Sequence, residues 1–408
     1  MIADIPALLS AAHKYDAELG AFLRDLVRIP TVNGRDPEAP LAARIQAEAR
    51  RLGLESRLVA LQEDRPNVLV TYGSGPDGFA LIGHMDTVAE GDPASWSSPP
   101  FAANLKEGRI IGRGAADNKA GIACGLYTLA LLRELNLIDP SRQQAVVAGV
   151  VDEESGACSQ LGVRHLLDSG ELQAKGAIYA YTSDIVCIGH RGLLRLGLTA
   201  HGQSVHAGLA EWHNHSMGAN AVMALAALLL KLESLKVPAA PPPGFEHLGF
   251  TITPGTIFRG GSFPSIVPDS ATTMVDIRLL PGQPSKTVLE RVQELISTVE
   301  HERPRISIEM KITVDTPGAA IPTDHPLATL AQDYTEVVLG RRWPAAGAGP
   351  ANEGYMLIGA GIPTLCGFGP TGGNPHAPDE WVAVESLPAT VAIFAGIIHD
   401  YLNLPKGE

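Results

Sequence analysis

Phe79-Ala80-Leu81-Ile82-Gly83-His84-Met85-Asp86 is a short, unbroken apolar run that ends on an imidazole, with a carboxylate two residues later. An apolar run without alternation reads as a strand buried on both faces, which is how strands look in sheets covered by helices. The surroundings agree. Helical periodicity spans 14–29 and 40–52 before it, and a long helical pattern follows from Asp117 to about Leu135. A second buried strand is expected over 144–151 and a helix over 161–168. This alternation predicts an α/β fold, a mixed sheet flanked by helices.

The pattern changes near residue 190. Apolar runs 185–189 and 193–200 flank His190-Arg191-Gly192 and read as a hairpin. A helix is expected from about Met217 to Leu232, then a Pro-rich loop over 237–244. Strands are expected over 251–257, 271–280 and 306–314, with a helix over 285–300. Strand-rich order of this kind predicts a separate α+β domain with an antiparallel sheet. From about Thr316 the earlier alternation resumes, with a helix over 326–339, a strand over 363–368 and a helix over 387–402. The expected organisation is a first catalytic part, 1–191, an inserted domain, 192–315, and a second catalytic part, 316–408.

The 408 residues are too many for one ordinary core, and 45% hydrophobic with 18% charged residues fits a globular chain. A net charge of −13 argues against nucleic acid or an anionic membrane as partner. The longest apolar run, Ala221 to Leu230, is about half of a bilayer span. The opening Met1-Ile2-Ala3-Asp4 has neither a basic nor an apolar leader segment, so no secretory signal is expected. Cys124, Cys158, Cys187 and Cys366 form no C-x-x-C pair and read as reduced core thiols, which together predicts a cytoplasmic protein.

Four clusters carry chemistry. His84 follows a strand, where open α/β sheets place ligands, and Asp86 can orient it. Gly112-Arg113-Gly114-Ala115-Ala116-Asp117 brings backbone close to something and ends on a carboxylate heading a helix; a plain N-cap would look the same. Asp152-Glu153-Glu154 places three carboxylates at the end of a buried strand, a costly arrangement unless cations neutralise them. The Gly-rich loop from Gly369 ends on His376. Each histidine alone would pass for an ordinary loop or core residue. Together, two imidazoles and several carboxylates at strand ends suit divalent ions such as zinc.

With these motifs the chain resembles, over essentially its whole length, the dinuclear zinc amidohydrolases and exopeptidases that include aminoacylase, acetylornithine deacetylase, succinyl-diaminopimelate desuccinylase and carboxypeptidase G. The resemblance implies a zinc-exopeptidase-like catalytic domain and an insert that dimerises or acts as a lid. It implies two Zn²⁺ per chain, with Co²⁺ or Mn²⁺ as substitutes. His84 would bind one ion, Asp117 bridge both, and Glu154 and His376 hold the second. Asp86 would support His84, and Glu153 would be the general base for a metal-bridged hydroxide that attacks an amide. A cis peptide is implied at Asp117–Asn118. The family's first zinc takes a further carboxylate some 25–30 residues beyond the Glu pair; in Ile178-Tyr179-Ala180-Tyr181-Thr182-Ser183-Asp184 only Asp184 qualifies. In the insert, His206 resembles an oxyanion-binding residue that reaches a partner subunit, and Arg278 a residue that binds the substrate carboxylate. Ser265 stands where the family often has a substrate-contacting Asn. His213 and His215 read as loop residues.

The expected activity is hydrolysis of small N-acyl amino acids by a homodimer, on a small-molecule substrate with a free carboxylate. A di- or tripeptidase, or a glutamate carboxypeptidase, is the alternative on the same chemistry. A non-catalytic binding protein on this fold would have lost Glu153 or several ligands, and the sequence keeps them.

Overall fold

The computed structural model describes residues 4–156 and 159–405 and divides into two compact units, one built from 4–190 with 320–405 and the other from Arg191–Ala319. The larger unit is organised on a six-stranded mixed sheet in the order Glu55–Val59, Asn67–Gly73, Gln143–Val150, Asp77–His84, Gly176–Tyr179 and Thr364–Leu365. The last four run parallel to one another and the first two antiparallel to their neighbours. The central Asp77–His84 strand is buried along nearly all its length. The first two strands escape a reading by periodicity for different reasons. Glu55–Val59 is a largely exposed edge with charged residues, and Asn67–Gly73 offers only a three-residue apolar run.

Helix Ala120–Glu134 packs on the sheet and against helices Asp16–Arg28 and Ser386–Leu402. Every residue from Ala120 to Leu132 is buried, so the helix is apolar all round rather than striped. Each buried Leu or Ile along it contributes about 2 kcal/mol of transfer free energy. Gly121 lets its first turn meet the sheet, since a Cβ there would lie 1.8 Å from the Ala180 carbonyl oxygen.

The hairpin expected across 185–200 does not form. Val186–His190 pairs in parallel with Ala345–Ala348, whereas Gly192–His201 enters the sheet of the smaller unit. None of His190, Arg191 and Gly192 adopts the positive φ that a two-residue hairpin turn demands.

The smaller unit is a four-stranded antiparallel sheet in the order Thr251–Gly260, Ser270–Leu279, Gly192–His201, Ser307–Thr316. Leu194, Leu196, Leu198 and Ala200 alternate inward from the third of these strands and share a core with helices Ala221–Glu233 and Ser285–Glu302. Among the described residues no helix is long and apolar enough to cross a membrane. Cys124, Cys187 and Cys366 are buried free thiols, while Cys158 lies outside the described residues.

Candidate metal centre

Register brings the site together. His84 pairs with Val150, so two parallel strands finish level and the Asp152–Glu154 turn begins just beyond. Ile82 pairs with Tyr179 on the other side, and the Ala180 amide donates to the Ile82 carbonyl at 2.8 Å, which carries Tyr181 alongside His84. Asp117 stands at the head of the central helix in extended backbone (φ −128°, ψ 88°), and its peptide bond to Asn118 is cis, as the resemblance implies.

Asp117 is the hub. Its Oδ1 lies 2.8 Å from Nε2 of His84, and its Oδ2 lies 3.2 Å from Nε2 of His376. The same His376 nitrogen lies 3.0 Å from Oε1 of Glu154. One ligand atom each from His84, Asp117 and Glu154 falls within 4.8 Å of the others. The structure therefore brings together four of the five residues expected to ligate, with Asp117 presenting one oxygen to each imidazole.

These residues are held from behind. Buried Glu380 accepts the Ala116 and Asp117 amides on Oε1, at 2.8 and 2.9 Å, and the Arg113 guanidinium on Oε2 at 2.6 Å. His84 turns Nδ1 toward the Asp86 backbone carbonyl at 2.9 Å, while the Asp86 carboxylate is 3.6 Å away. That carboxylate accepts the amides of Glu153 and Glu154, at 3.2 and 3.0 Å, and the Asn33 amide group at 2.6 Å. Asp86 thus positions the Glu pair as much as the histidine. Asp152, the third carboxylate of that turn, sits at φ 65° and faces away, bound by Arg65, Asn33 and Ser159. His376 also has a positive φ, 61°, in a loop pinned where Asp379 accepts the Ser97 amide and hydroxyl.

Asp184, the fifth expected ligand, is not among the residues brought together. It is exposed, and it makes no hydrogen bond or ion pair with another described residue. The register explains this: position 181 lies beside His84, and position 184 has already passed the sheet's end. The residue of this stretch that faces the site is Tyr181. Its ring lies 5.6 Å from that of His84 and its hydroxyl donates to Oε1 of Glu153 at 3.2 Å.

Glu153 is buried, and burial together with the charges of Glu154, Glu353 and Asp117 raises its carboxyl well above the usual range, against the pull of His84. Burial also pushes Asp117 up, but the bonds to His376 and His84 win and hold it below the usual carboxylate range. Asp117 and Glu154 raise the His376 imidazole to about 10. Protons are thus drawn to the places between these side chains where cations would be shared. The donor set fits hard or borderline divalent ions: imidazole nitrogens and carboxylate oxygens, mutually within bonding reach, on strand ends that carry excess negative charge.

The two insert residues belong to the smaller unit. His206 is exposed, with Nδ1 accepting the Gly208 amide at 3.1 Å, which leaves Nε2 to carry the proton. Arg278 donates to both oxygens of Asp276, at 2.7 and 3.3 Å, and Arg195 shares that carboxylate. The positioning residues Asn33, Arg113 and Glu380 went unassigned in the sequence. Glu380 stood four residues after His376 and Arg113 four before Asp117, so both could have been suspected; Asn33 offers no such signal.

A cluster of this composition on a helix-covered sheet can hold divalent ions, and with the family match that follows it makes this chain a metal-dependent hydrolase. Residues 80–400 match the model of peptidase family M20/M25/M40, and the chain belongs to that family. It is 27% identical to the succinyl-diaminopimelate desuccinylase of Maricaulis maris (strain MCS10), over 93% of this chain and 94% of the other. It is 26% identical to the uncharacterized protein YgeY of Escherichia coli (strain K12), over 96% of each. Among solved structures, a tripeptidase from Staphylococcus aureus shares the fold with a TM-score of 0.75 at 21% identity, over 95% of this chain and 98% of that one.

Proposed function

We propose that this protein is a zinc-dependent amidohydrolase that removes the acyl group from small N-acyl amino acids. The observation that carries the reading is the division of the Asp117 carboxylate, one oxygen toward His84 and the other toward His376, beside the buried carboxyl of Glu153. Two Zn²⁺ would be held by His84, Asp117, Glu154 and His376; once bound, they supply Lewis acidity that lowers the pKa of water and offsets negative charge on a substrate oxygen. Glu153 does the proton work. Its buried carboxyl, beside the shared Asp117 carboxylate, suits a group that takes a proton from water and returns it to the leaving amine nitrogen. Asp86 keeps both glutamates aimed by fixing their amides, and Tyr181 steadies Glu153.

The desuccinylase relative supports an acyl amino acid over a peptide, since desuccinylation removes an acyl group. A di- or tripeptidase, or a glutamate carboxypeptidase, remains the second reading. Arg278 would bind the substrate carboxylate, for which its fork geometry suits, on exchanging Asp276 as partner. The Arg191–Ala319 unit would dimerise and present His206 as an oxyanion donor to the partner. In support, its edge strand Thr251–Gly260 exposes Ile257 and Phe258, an open apolar edge that needs cover. The protein would act in the cytoplasm.

A substrate panel tests the proposal. Release of acetate or succinate from N-acyl amino acids supports it, whereas release of amino acids from tripeptides favours the second reading. Less than one zinc per chain, together with unchanged hydrolysis by Glu153→Ala, would refute both.

A further inference from the structure

Three strand ends converge on the site, and two of them deliver metal-binding chemistry: His84 from one and Glu153-Glu154 from the next. The third, after Gly176–Tyr179, delivers Tyr181. Its ring stands 5.6 Å from the His84 ring, and its hydroxyl reaches Glu153 at 3.2 Å. The place is tightly determined. Tyr181 stacks on Tyr179 with ring centroids 5.2 Å apart, and the preceding Ala180 carbonyl is held by the Asn118 side chain at 3.0 Å, directly beside Asp117. The one carboxylate of the stretch, Asp184, is exposed beyond it.

The two sides of Asp117 are consequently unequal. On the Oδ2 side stand His376 and Glu154, the latter already at 3.0 Å from the imidazole, giving three protein donors. On the Oδ1 side stands His84, with Glu154 within 4.8 Å but giving its Oε1 to His376, and beyond the imidazole the phenol ring where a carboxylate would complete the set. A divalent ion gains most from anionic oxygen donors, and a neutral phenol that already donates to Glu153 supplies none.

We propose that Tyr181 makes the two cation positions of this site unequal: the Asp117–Glu154–His376 position fills first and tightly, and the His84–Asp117 position fills second and weakly. This rests on the metal-dependent reading above and adds to it an order of filling and the residue that sets it. Tyr181 acts here as a positioning residue, fixing Glu153 while withholding a charge from the neighbouring ion.

Calorimetric titration of the chelator-treated full chain with ZnCl₂ tests this. The expected result is two separate events, the second weaker by about 100-fold or more, since loss of even an outer partner of a ligand costs about 10–100-fold. His376→Ala abolishes the tight event. Tyr181→Glu, which places a carboxylate beside His84, brings the second event to within about tenfold of the first. Tyr181→Phe, which keeps the ring and the fold, leaves the first event unchanged and the second weak. Two equivalents of equal affinity in the unmodified chain overturn the inference, as does an unchanged gap in a folded Tyr181→Glu protein. Absence of any cation binding would instead overturn the metal-dependent reading beneath it.

Discussion

Replacing Glu353 by Gln should make the fold more tolerant of alkaline pH. Glu353 is completely buried; Oε2 accepts the Tyr179 phenol at 3.2 Å, and Oε1 has no hydrogen-bond partner. Burial, reinforced by the charge of Asp86, raises this carboxyl from the ordinary 4.5 to about 8. The sign follows from linkage. The folded chain holds a proton that the unfolded chain has released anywhere between these two values. The stabilisation is therefore complete below the lower one and is lost as pH rises through the upper one. The gap is about 3.5 pH units, and at about 1.36 kcal/mol per unit the loss approaches 5 kcal/mol at its upper limit. Glutamine keeps the shape and an acceptor for Tyr179 but has no proton to lose. Urea unfolding of chelator-treated Glu353→Gln and unmodified protein, from about pH 5 to about pH 9, isolates the group by difference. The stability difference should move steadily in favour of Gln as pH rises. A difference that stays constant across that range would show that Glu353 is ionised in the folded chain and that the reasoning is wrong.

Two further outcomes are expected. Glu380→Ala strips the Ala116 and Asp117 amides of their acceptor and leaves buried Arg113 unpaired, which should cost about 3–5 kcal/mol in denaturant unfolding and weaken cation binding; a loss below about 1 kcal/mol would contradict this account. Removal of bound cation by chelator should lower the thermal midpoint, because an ion present at about a thousand times its Kd stabilises by about 4 kcal/mol, and a midpoint indifferent to chelator would count against the centre.

The sheet was legible where burial leaves an unambiguous trace, as in Phe79–Gly83 and in the apolar surroundings of the Ala120–Glu134 helix. It was illegible where a strand is an exposed edge, as in Glu55–Val59, and where a turn was read between two apolar runs although none of His190, Arg191 and Gly192 has a positive φ. The site shows the same division. His84, Asp117, Glu154 and His376 could be named because their chemistry is unusual at strand ends, and the structure brings them together. Tyr181 was passed over because a search for a carboxylate looks past a phenol, and only the Ile82–Tyr179 register shows which residue of 178–184 stands beside His84. Glu353 has no local signature at all, since its importance comes from burial alone.

The grip of Glu380 on the Asp117 amide also bears on how the protein is made. The two residues are 263 positions apart, so a ribosome exposes the Asp117 loop long before it has synthesised the group that fixes it. Until then those amides must find water or another acceptor. The surroundings of Asp117, like the candidate ligand His376, are therefore complete only when nearly all of the chain has been made. A chain ending just ahead of residue 380 would keep all four candidate ligands yet lose both the carboxylate that fixes the Asp117 amide and the Ser386–Leu402 helix that packs on the central one.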